Sequence, residues 1–363
     1  MAQTESAVLS TQQNTTRPPA AAQQLVAVVV THNRLDQLRI TLAALFSAAP
    51  EDLSAVLVVD NASTDGTGDW LADQAEARLQ VLRLATNTGG AGGFEAGMKR
   101  AMAQFAPDWI VVMDDDARPD PGTLRAFHAR DRSAHDAWAA AVRHPDGRIC
   151  DINRPSINPF WNRAAFLRTA AGGGREGFHL MPADYEGAAL REVDAASFVG
   201  LFVSAAAIAR IGYPDGRLFV YGDDVLYTLK LRQSGGSIAF DPGLRFEHDF
   251  STIDAGDRRF RPLWKSYYHY RNLLIVYRVA AGWLFWPALM AVLPKWLSKV
   301  RHHDGDRALF LRLLRRAMRD GLAGRTGVDH AEILALAGMP LSGSGSRGDS
   351  GPSAAAPSSE GSG

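Results

Sequence analysis

Trp109-Ile110-Val111-Val112-Met113-Asp114-Asp115-Asp116 is an apolar run that stops at three consecutive carboxylates. Apolar and β-prone residues between turn signals read as a short strand buried on both faces, and such strands belong to parallel sheets covered by helices. The aspartates then stand at its carboxyl end. In open α/β sheets that edge faces the ligand crevice, and acids crowded there repel one another unless a cation, most simply a divalent metal, sits among them. A solvated acidic turn before Pro119 accounts for one aspartate; three in a row point to a site.

Upstream the same pattern repeats three times. Residues 25–30 (LVAVVV) read as a strand ending at Thr31-His32-Asn33-Arg34, and Leu35, Leu38, Leu42 and Leu45 follow at helical spacing. Residues 55–59 form a second strand, ending at Asp60-Asn61-Ala62-Ser63-Thr64-Asp65-Gly66, and residues 79–84 a third, ending at Asn87-Thr88-Gly89-Gly90-Ala91-Gly92-Gly93-Phe94. Strands alternating with helices in short order imply a doubly wound, mostly parallel sheet. All four loops then gather on one rim. That rim carries Thr31, Asn33, Arg34, Asp60, Asn61, Asn87, Gly90 and the aspartates, an inventory suited to a nucleotide. The glycines read either as close backbone approach to a ligand or as a flexible loop; following the third strand, they are not the dinucleotide fingerprint.

Residues 130–190 break the alternation. Phe160 and Trp161, set between Asn and Pro, suit either stacking on a sugar or anchoring a loop to the core. Order returns at 193–203, where residues 197–203 suit a strand. Phe219-Val220-Tyr221-Gly222-Asp223-Asp224 then delivers two further acids to a helix start, where one capping aspartate would suffice. Residues 237–240 suit a strand, followed by a turn at Asp241-Pro242-Gly243. His248 reads either as an ordinary capped histidine or as a third ligand for a Mn²⁺-like ion beside carboxylates.

Composition narrows the classes. Lys plus Arg and Asp plus Glu both total 39, so no global field recruits nucleic acid. Cys150 is the only cysteine, which excludes an intramolecular disulfide and a multi-cysteine zinc site and suits a reducing cytoplasm. Residues 1–22 lack the basic start and apolar core of a signal peptide and read as a disordered leader; 341–363, rich in Ser, Gly, Pro and Ala, read as a disordered tail. The longest apolar stretch, 279–294, falls short of the ~20 residues that span a bilayer. Residues 295–325 carry nine Lys or Arg against three Asp, in company with Trp283, Trp286 and Trp296. Segment 279–325 therefore suits either a solvated helix or an interfacial anchor on anionic membrane.

Paired acids beside a nucleotide-shaped rim suit transfer from an activated diphosphate donor, with one acidic centre serving the leaving group and the other the nucleophile. A nucleotidyltransferase and a membrane-associated nucleotide-sugar-binding module are the competing classes. The motifs VVVTHNR, VVDNASTDGT, NTGGAGGF, MDDD, FVYGDD and the later His248 resemble GT-A glycosyltransferases of family 2. Within that family, NTGGAGGF, the tri-aspartate and YYHYRN are most similar to bacterial galactofuranosyltransferases, with rhamnosyltransferases next.

The resemblance implies a GT-A catalytic domain over 23–255, split near 128 into nucleotide-binding and acceptor halves, with a helical, membrane-peripheral extension over 256–335. It implies an inverting, Mn²⁺- or Mg²⁺-dependent enzyme of the inner face of the cytoplasmic membrane, serving cell-envelope polysaccharide synthesis. The donor it implies is UDP-galactofuranose, or alternatively dTDP-rhamnose, and the acceptor a glycan or lipid-linked glycan. Nucleotide contacts carry onto Thr31, Arg34, Asp60 and Asn87, metal and diphosphate contacts onto Asp114 and Asp116, a third ligand role onto His248 and the base onto Asp224. Asp115 is left for donor sugar or ribose. Where many relatives have Glu-Asp before the acceptor helix, this chain has Asp223-Asp224.

Overall fold

The computed structural model describes residues 23–249 and 259–339. The expected leader and tail lie outside the described residues. Chain order gives β1 (Leu25–Thr31), α1 (Leu35–Phe46), β2 (Ala55–Asp60), α2 (Thr67–Ala72), β3 (Leu79–Arg83), α3 (Gly89–Phe105), β4 (Trp109–Asp114) and β5 (Ala117–Pro119). There follow α4 (Thr123–His128), β6 (Ala137–Arg143), the short helices α5 (Arg163–Arg168) and α6 (Pro182–Glu186), β7 (Arg191–Glu192), β8 (Leu201–Ser204) and α7 (Ala205–Ile211). The chain continues with α8 (Asp223–Gln233), β9 (Ile238–His248), α9 (Lys265–Ala281), α10 (Phe285–Ser298), α11 (Arg307–Leu322) and α12 (His330–Leu336).

The strands form one sheet in the order β3-β2-β1-β4-β8-β6-β9-β5, with β7 beside β9. Strands β1 to β4 are mutually parallel, so their four carboxyl ends share one edge, as the alternating pattern implies. Beyond β4 the sheet turns mixed: β8 pairs antiparallel with β4 and β6, and β9 runs parallel to β6. The segment 197–203 does supply a strand there, shifted to start at Leu201.

Each face of this sheet has its own core. Val26, Val28 and Val30 pack with Phe94, Met98 and Ala101 of α3, while Leu25, Ala27 and Val29 pack with Leu38, Leu42 and Leu45 of α1. Alternate residues of β1 thus enter opposite layers, and a strand covered on both sides can be apolar throughout. The glycines of α3 serve this packing: a Cβ at Gly93 would stand 2.5 Å from Val30 Cγ1, and one at Gly97 2.5 Å from Val28 Cγ1. Their absence of side chains lets the helix settle onto the sheet.

The expected turn at Asp241-Pro242-Gly243 is instead a bulge inside β9. Ala140 pairs with Asp241 and Ala141 with Arg245, so the chain bows out between these pairs and continues as the same strand. The bulge is pinned by Asp241, whose carboxylate takes Arg130 Nε at 2.6 Å and the Gly243 amide at 2.8 Å. Carried past it, β9 pairs antiparallel with β5 and sets His248 opposite Ala117, next to Asp116.

A third core lies in the C-terminal helices, where Tyr267, Tyr270, Leu274, Phe285, Trp296, Phe310 and Leu313 cluster. A small cluster of Ala91, Leu218, Leu226, Leu229, Val276 and Ala280 joins α3, α8 and α9 and couples these helices to the sheet. Among the described residues one helical run, Lys265–His302, is long and apolar enough to cross a membrane by length and composition, which the stretch 279–294 alone is not. Its first half, however, is buried in protein through Tyr267, Tyr268, Arg271, Asn272 and Leu274.

The glycines give a stability test. Gly97→Ala is expected to cost about 1–3 kcal/mol by overpacking against Val28 and Val59, whereas Gly90→Ala, which meets nothing within 4 Å, should cost almost nothing. Urea unfolding of the two variants measures this, and equal midpoints would contradict the packing role.

Candidate active site

The tri-aspartate is built by strand register. Asp114 ends β4 opposite Val30 of β1, so Asp115 and Asp116 leave the sheet beside the loop that follows β1. Thr31 Oγ1 donates to Asp115 Oδ2 at 2.7 Å, and Thr41 Oγ1 donates to the Asp115 carbonyl, also at 2.7 Å. Asp115 is thereby pinned. Arg34 Nη1 reaches Asp116 Oδ2 at 2.7 Å and Asp115 Oδ1 at 3.3 Å.

From the far side His248 Nε2 lies 3.1 Å from Asp116 Oδ1. Its Nδ1 lies 2.8 Å from Asn153 Oδ1, and Asn153 Nδ2 lies 2.9 Å from Ser197 Oγ. Nδ1 therefore carries a proton, and Nε2 is the nitrogen turned to the acids. This is the orientation a metal-ligating histidine takes when its second nitrogen is held by a neighbouring acceptor.

The charges are strained. Burial, with Asp116's charge added, pushes Asp114 up to about 8, and burial lifts Asp115 to about 7 against the opposing pull of Arg34. Burial also raises Asp116, but His248 and Arg34 together hold it below the usual carboxylate range. Burial lowers His248, and Asp116 and Asp114 more than offset that, leaving it raised. One ligand atom each from Asp114, Asp116 and His248 lies within 4.8 Å of the others, a spacing and donor set that fit an oxygen-preferring divalent ion such as Mn²⁺ or Mg²⁺. Arg34 already places a cation on the same acids.

The remaining rim residues brace the loops. Asn61 Oδ1 accepts from the Thr88 amide at 2.9 Å and its Nδ2 donates to the Gly89 carbonyl at 2.9 Å, tying the loop after β2 to the start of α3. Asn87 Oδ1 takes the Gly89 amide. Asn33, at φ 55°, accepts the Thr64 amide and donates its own amide to Ser63 Oγ. Gly90 stands open in the first turn of α3. Asp60 is wholly buried; its Oδ1 takes the Ser63 amide, while Oδ2 has no hydrogen-bond partner, Arg83 Nε standing 3.4 Å away. A cavity of about 410 Å³ lined by Ala62, Ser63, Thr64, Arg83, Leu84 and Ala85 opens at this end of the rim.

Asp223 and Asp224 open α8 after Gly222, whose φ of 79° makes the sharp entry. Burial pushes Asp223 up to about 8, with Asp224's charge adding, and raises Asp224 to about 6 against backbone amides that favour its charged form. Asp223 is among the charges that raise Asp114, so the second acidic centre lies near enough to the first to interact with it electrostatically. Phe160 packs against the cluster of Ala91, Leu218, Leu226, Leu229, Val276 and Ala280, while Trp161 is exposed. Cys150 is buried, with burial pushing its thiol up to about 11, an inert structural thiol. Asn153, which orients His248, escaped the sequence reading because it sits in the patternless 130–190 segment.

A parallel sheet edge that gathers a metal-spaced acid set at the carboxyl ends of its strands defines an α/β domain with its candidate site on that rim. Residues 26–180 match the family model for glycosyl transferase family 2. Galactofuranosyltransferase GlfT1 of Mycobacterium tuberculosis H37Rv is 34% identical over 223 residues, which cover 58% of this chain and 64% of that protein. GlfT1 of Mycolicibacterium smegmatis is 32% identical over 219 residues, covering 58% and 65%. An N-acetylglucosaminyl-diphospho-decaprenol L-rhamnosyltransferase of M. tuberculosis H37Rv is 29% identical over 252 residues, covering 62% and 75%. The chain spans just under two thirds of the length of these galactofuranosyltransferase relatives.

Removing the partner that orients His248 should weaken the metal set without dismantling it. Asn153→Ala is expected to loosen Mn²⁺ binding roughly 10- to 100-fold, read by electron paramagnetic resonance. Unchanged affinity would show that the Asn153 contact plays no part.

Proposed function

We propose that the chain is an inverting glycosyltransferase that moves galactofuranose from UDP-galactofuranose to a glycan or lipid-linked acceptor in cell-envelope polysaccharide synthesis. The observation that carries this is the metal-spaced set of Asp114, Asp116 and His248, with a second acidic centre, Asp223 and Asp224, whose first member adds its charge to the burden on Asp114. The galactofuranosyltransferase relatives supply the sugar, and the rhamnosyltransferase relative supports dTDP-rhamnose as the second reading.

At the nucleotide end, the buried Oδ2 of Asp60, ion-paired with Arg83 but without a hydrogen bond, offers an acceptor to a nucleobase N–H, and the cavity lined by Ala62, Thr64 and Arg83 offers the room. Arg34 and the amides at the start of α3 offer positive charge to phosphate oxygens. Asp114, Asp116 and His248 would hold Mn²⁺ or Mg²⁺, which supplies positive charge to the departing diphosphate when bound. Asp115, fixed by Thr31, is left to the ribose or the sugar.

Asp224 takes the acceptor hydroxyl's proton while that oxygen attacks the anomeric carbon from the face opposite the diphosphate. The bond to the diphosphate oxygen breaks as the new bond forms, so configuration inverts. Asp223, buried and raised, stands behind it, and Phe160 and Trp161 line the acceptor approach. A nucleotidyltransferase would release pyrophosphate instead.

The same reading places the enzyme at the inner face of the cytoplasmic membrane. Trp283, Met290 and Trp286 of the α10 region are 86, 76 and 60% exposed on one apolar stripe, and the exposed cations Lys295, Lys299 and Arg301 follow it. Apolar rings with adjacent cations suit anionic headgroups, and α10, at ~1.5 Å per residue, is too short to span the ~30 Å hydrocarbon core.

Screening nucleotide sugars for nucleoside diphosphate release, with alkyl glycosides as acceptors, tests the donor: UDP-galactofuranose is expected to be turned over, and pyrophosphate release from nucleoside triphosphates would overturn the class. Asp224→Asn should cut turnover by at least about 10²-fold while UDP still binds; undiminished turnover would remove the base assignment. Because the base must be ionised and burial raises it to about 6, activity should rise with pH through that value and be lost below it. Flotation on vesicles should favour anionic lipid and fail for Trp283→Ser/Trp286→Ser; equal flotation of that variant would remove the membrane contact.

A further inference from the structure

Arg271 and Asn272 sit in the middle of α9, 0 and 1% exposed. A guanidinium buried this deeply ordinarily meets a carboxylate. Here its donors go mostly to main-chain carbonyls: Nη2 to Leu218 at 2.7 Å and Arg217 at 3.3 Å, Nη1 to Thr326 at 3.1 Å, and Nε to Asn272 Oδ1 at 2.7 Å. The rings of Tyr267 and Tyr268 cover it at 5.4 and 4.9 Å. Asn272 Nδ2 lies within 3.0 Å of the Leu218 carbonyl and 2.8 Å of those of Val220 and Tyr221. Two side chains therefore gather four carbonyls from residues 217–221.

Those residues are held in a conformation that a free loop would leave. Phe219 has φ 67° and ψ −62°, and the Val220 amide bonds the Leu218 carbonyl at 2.8 Å, which makes a γ-turn of the rare, strained hand. Tyr221 also has positive φ, at 71°. The next residues are Gly222, Asp223 and Asp224. On its other side the same turn meets the donor half: the Phe219 carbonyl accepts the Ala91 amide at 3.1 Å, and a Cβ at Gly89 would stand 2.0 Å from that carbonyl oxygen. Gly89, at φ 71°, is glycine because this turn presses on it.

We propose that Arg271 and Asn272 are positioning residues for transfer, holding the strained 217–222 segment from behind so that Asp224 stands fixed relative to the donor loop at the start of α3. The inference rests on the reading of Asp224 as base. Neither side chain touches the crevice acids in any contact described above; both act through main-chain carbonyls. The strain and the carbonyl clamp balance each other, and losing the clamp lets the loop relax and swings Asp224 off line.

Asn272→Leu keeps the branched shape and removes both N–H donors together with the oxygen that takes Arg271 Nε. Turnover of UDP-galactofuranose with octyl galactofuranoside as acceptor, expressed per UDP-binding site, is expected to fall 10- to 100-fold, with the Kd for UDP in Mn²⁺ changed less than threefold. Leu274→Val, a core substitution in the same helix, should lower the melting temperature and leave turnover per UDP site intact. If Asn272→Leu does not fold, Arg271→Lys, which keeps the charge and loses the fork, carries the same expectation. Wild-type turnover per site in the folded variant, or a loss matched by Leu274→Val, would overturn the positioning role. If Asp224→Asn itself turned over normally, the base assignment would fall first, and the two failures are distinguished in one assay.

Discussion

Three carboxylates at the end of a fully buried strand cannot all ionise without a compensating charge, and the rim is organised around that constraint. Asp116 stays ionised because Arg34 lies on one oxygen and His248 on the other. Asp115 is tied by Thr31 and Thr41, and Asp114 is left with burial and its neighbours pushing its pKa up. A group with so little compensation is where a divalent ion gains most. That shortfall, together with the 4.8 Å spacing of the ligand atoms of Asp114, Asp116 and His248, is what makes a divalent ion fit there.

Each supporting feature brings a component of that compensation to the rim. Parallel pairing of β1 with β4 sets Thr31 beside Asp115, and the bulge at Asp241 lets β9 reach β5 and deliver His248. Asn153 then fixes which nitrogen of His248 faces the acids. The second acidic centre depends on a different support, the carbonyl clamp from α9, so the C-terminal helices are continuous with the proposed chemistry. The cluster around Leu218, Leu226 and Val276 is the mechanical link between them.

The parallel half was legible in the sequence because four apolar runs, each ending in polar residues, have one economical arrangement. The bulge was not: Asp241-Pro242-Gly243 carries strong turn signals, and the strand goes on because Asp241 is held by Arg130, more than a hundred residues earlier, and pairing with β6 resumes at Arg245. The glycines at 89–93 read either as a ligand loop or as a flexible one, whereas Gly93, with Gly97 beyond the run, faces the sheet and Gly89 faces Phe219. Periodicity cannot separate a glycine kept for a ligand from one kept for a neighbouring helix or turn. Arg271-Asn272 stood in plain view within YYHYRN, yet nothing local says that their partners are carbonyls some fifty residues back. His248 lay between: its residue type suited a ligand, and the register of β9 against β5 was needed to place it.

The central claim is that one divalent ion is shared by Asp114, Asp116 and His248 beside the nucleoside diphosphate. Crystals grown with Mn²⁺ and UDP, measured at the manganese absorption edge, address it directly. The expected result is a single anomalous peak within coordination distance of those three side chains, with Arg34 withdrawn from Asp116 toward the phosphates. A peak elsewhere, or UDP bound at the rim with Arg34 still on Asp116 and no peak, would contradict it.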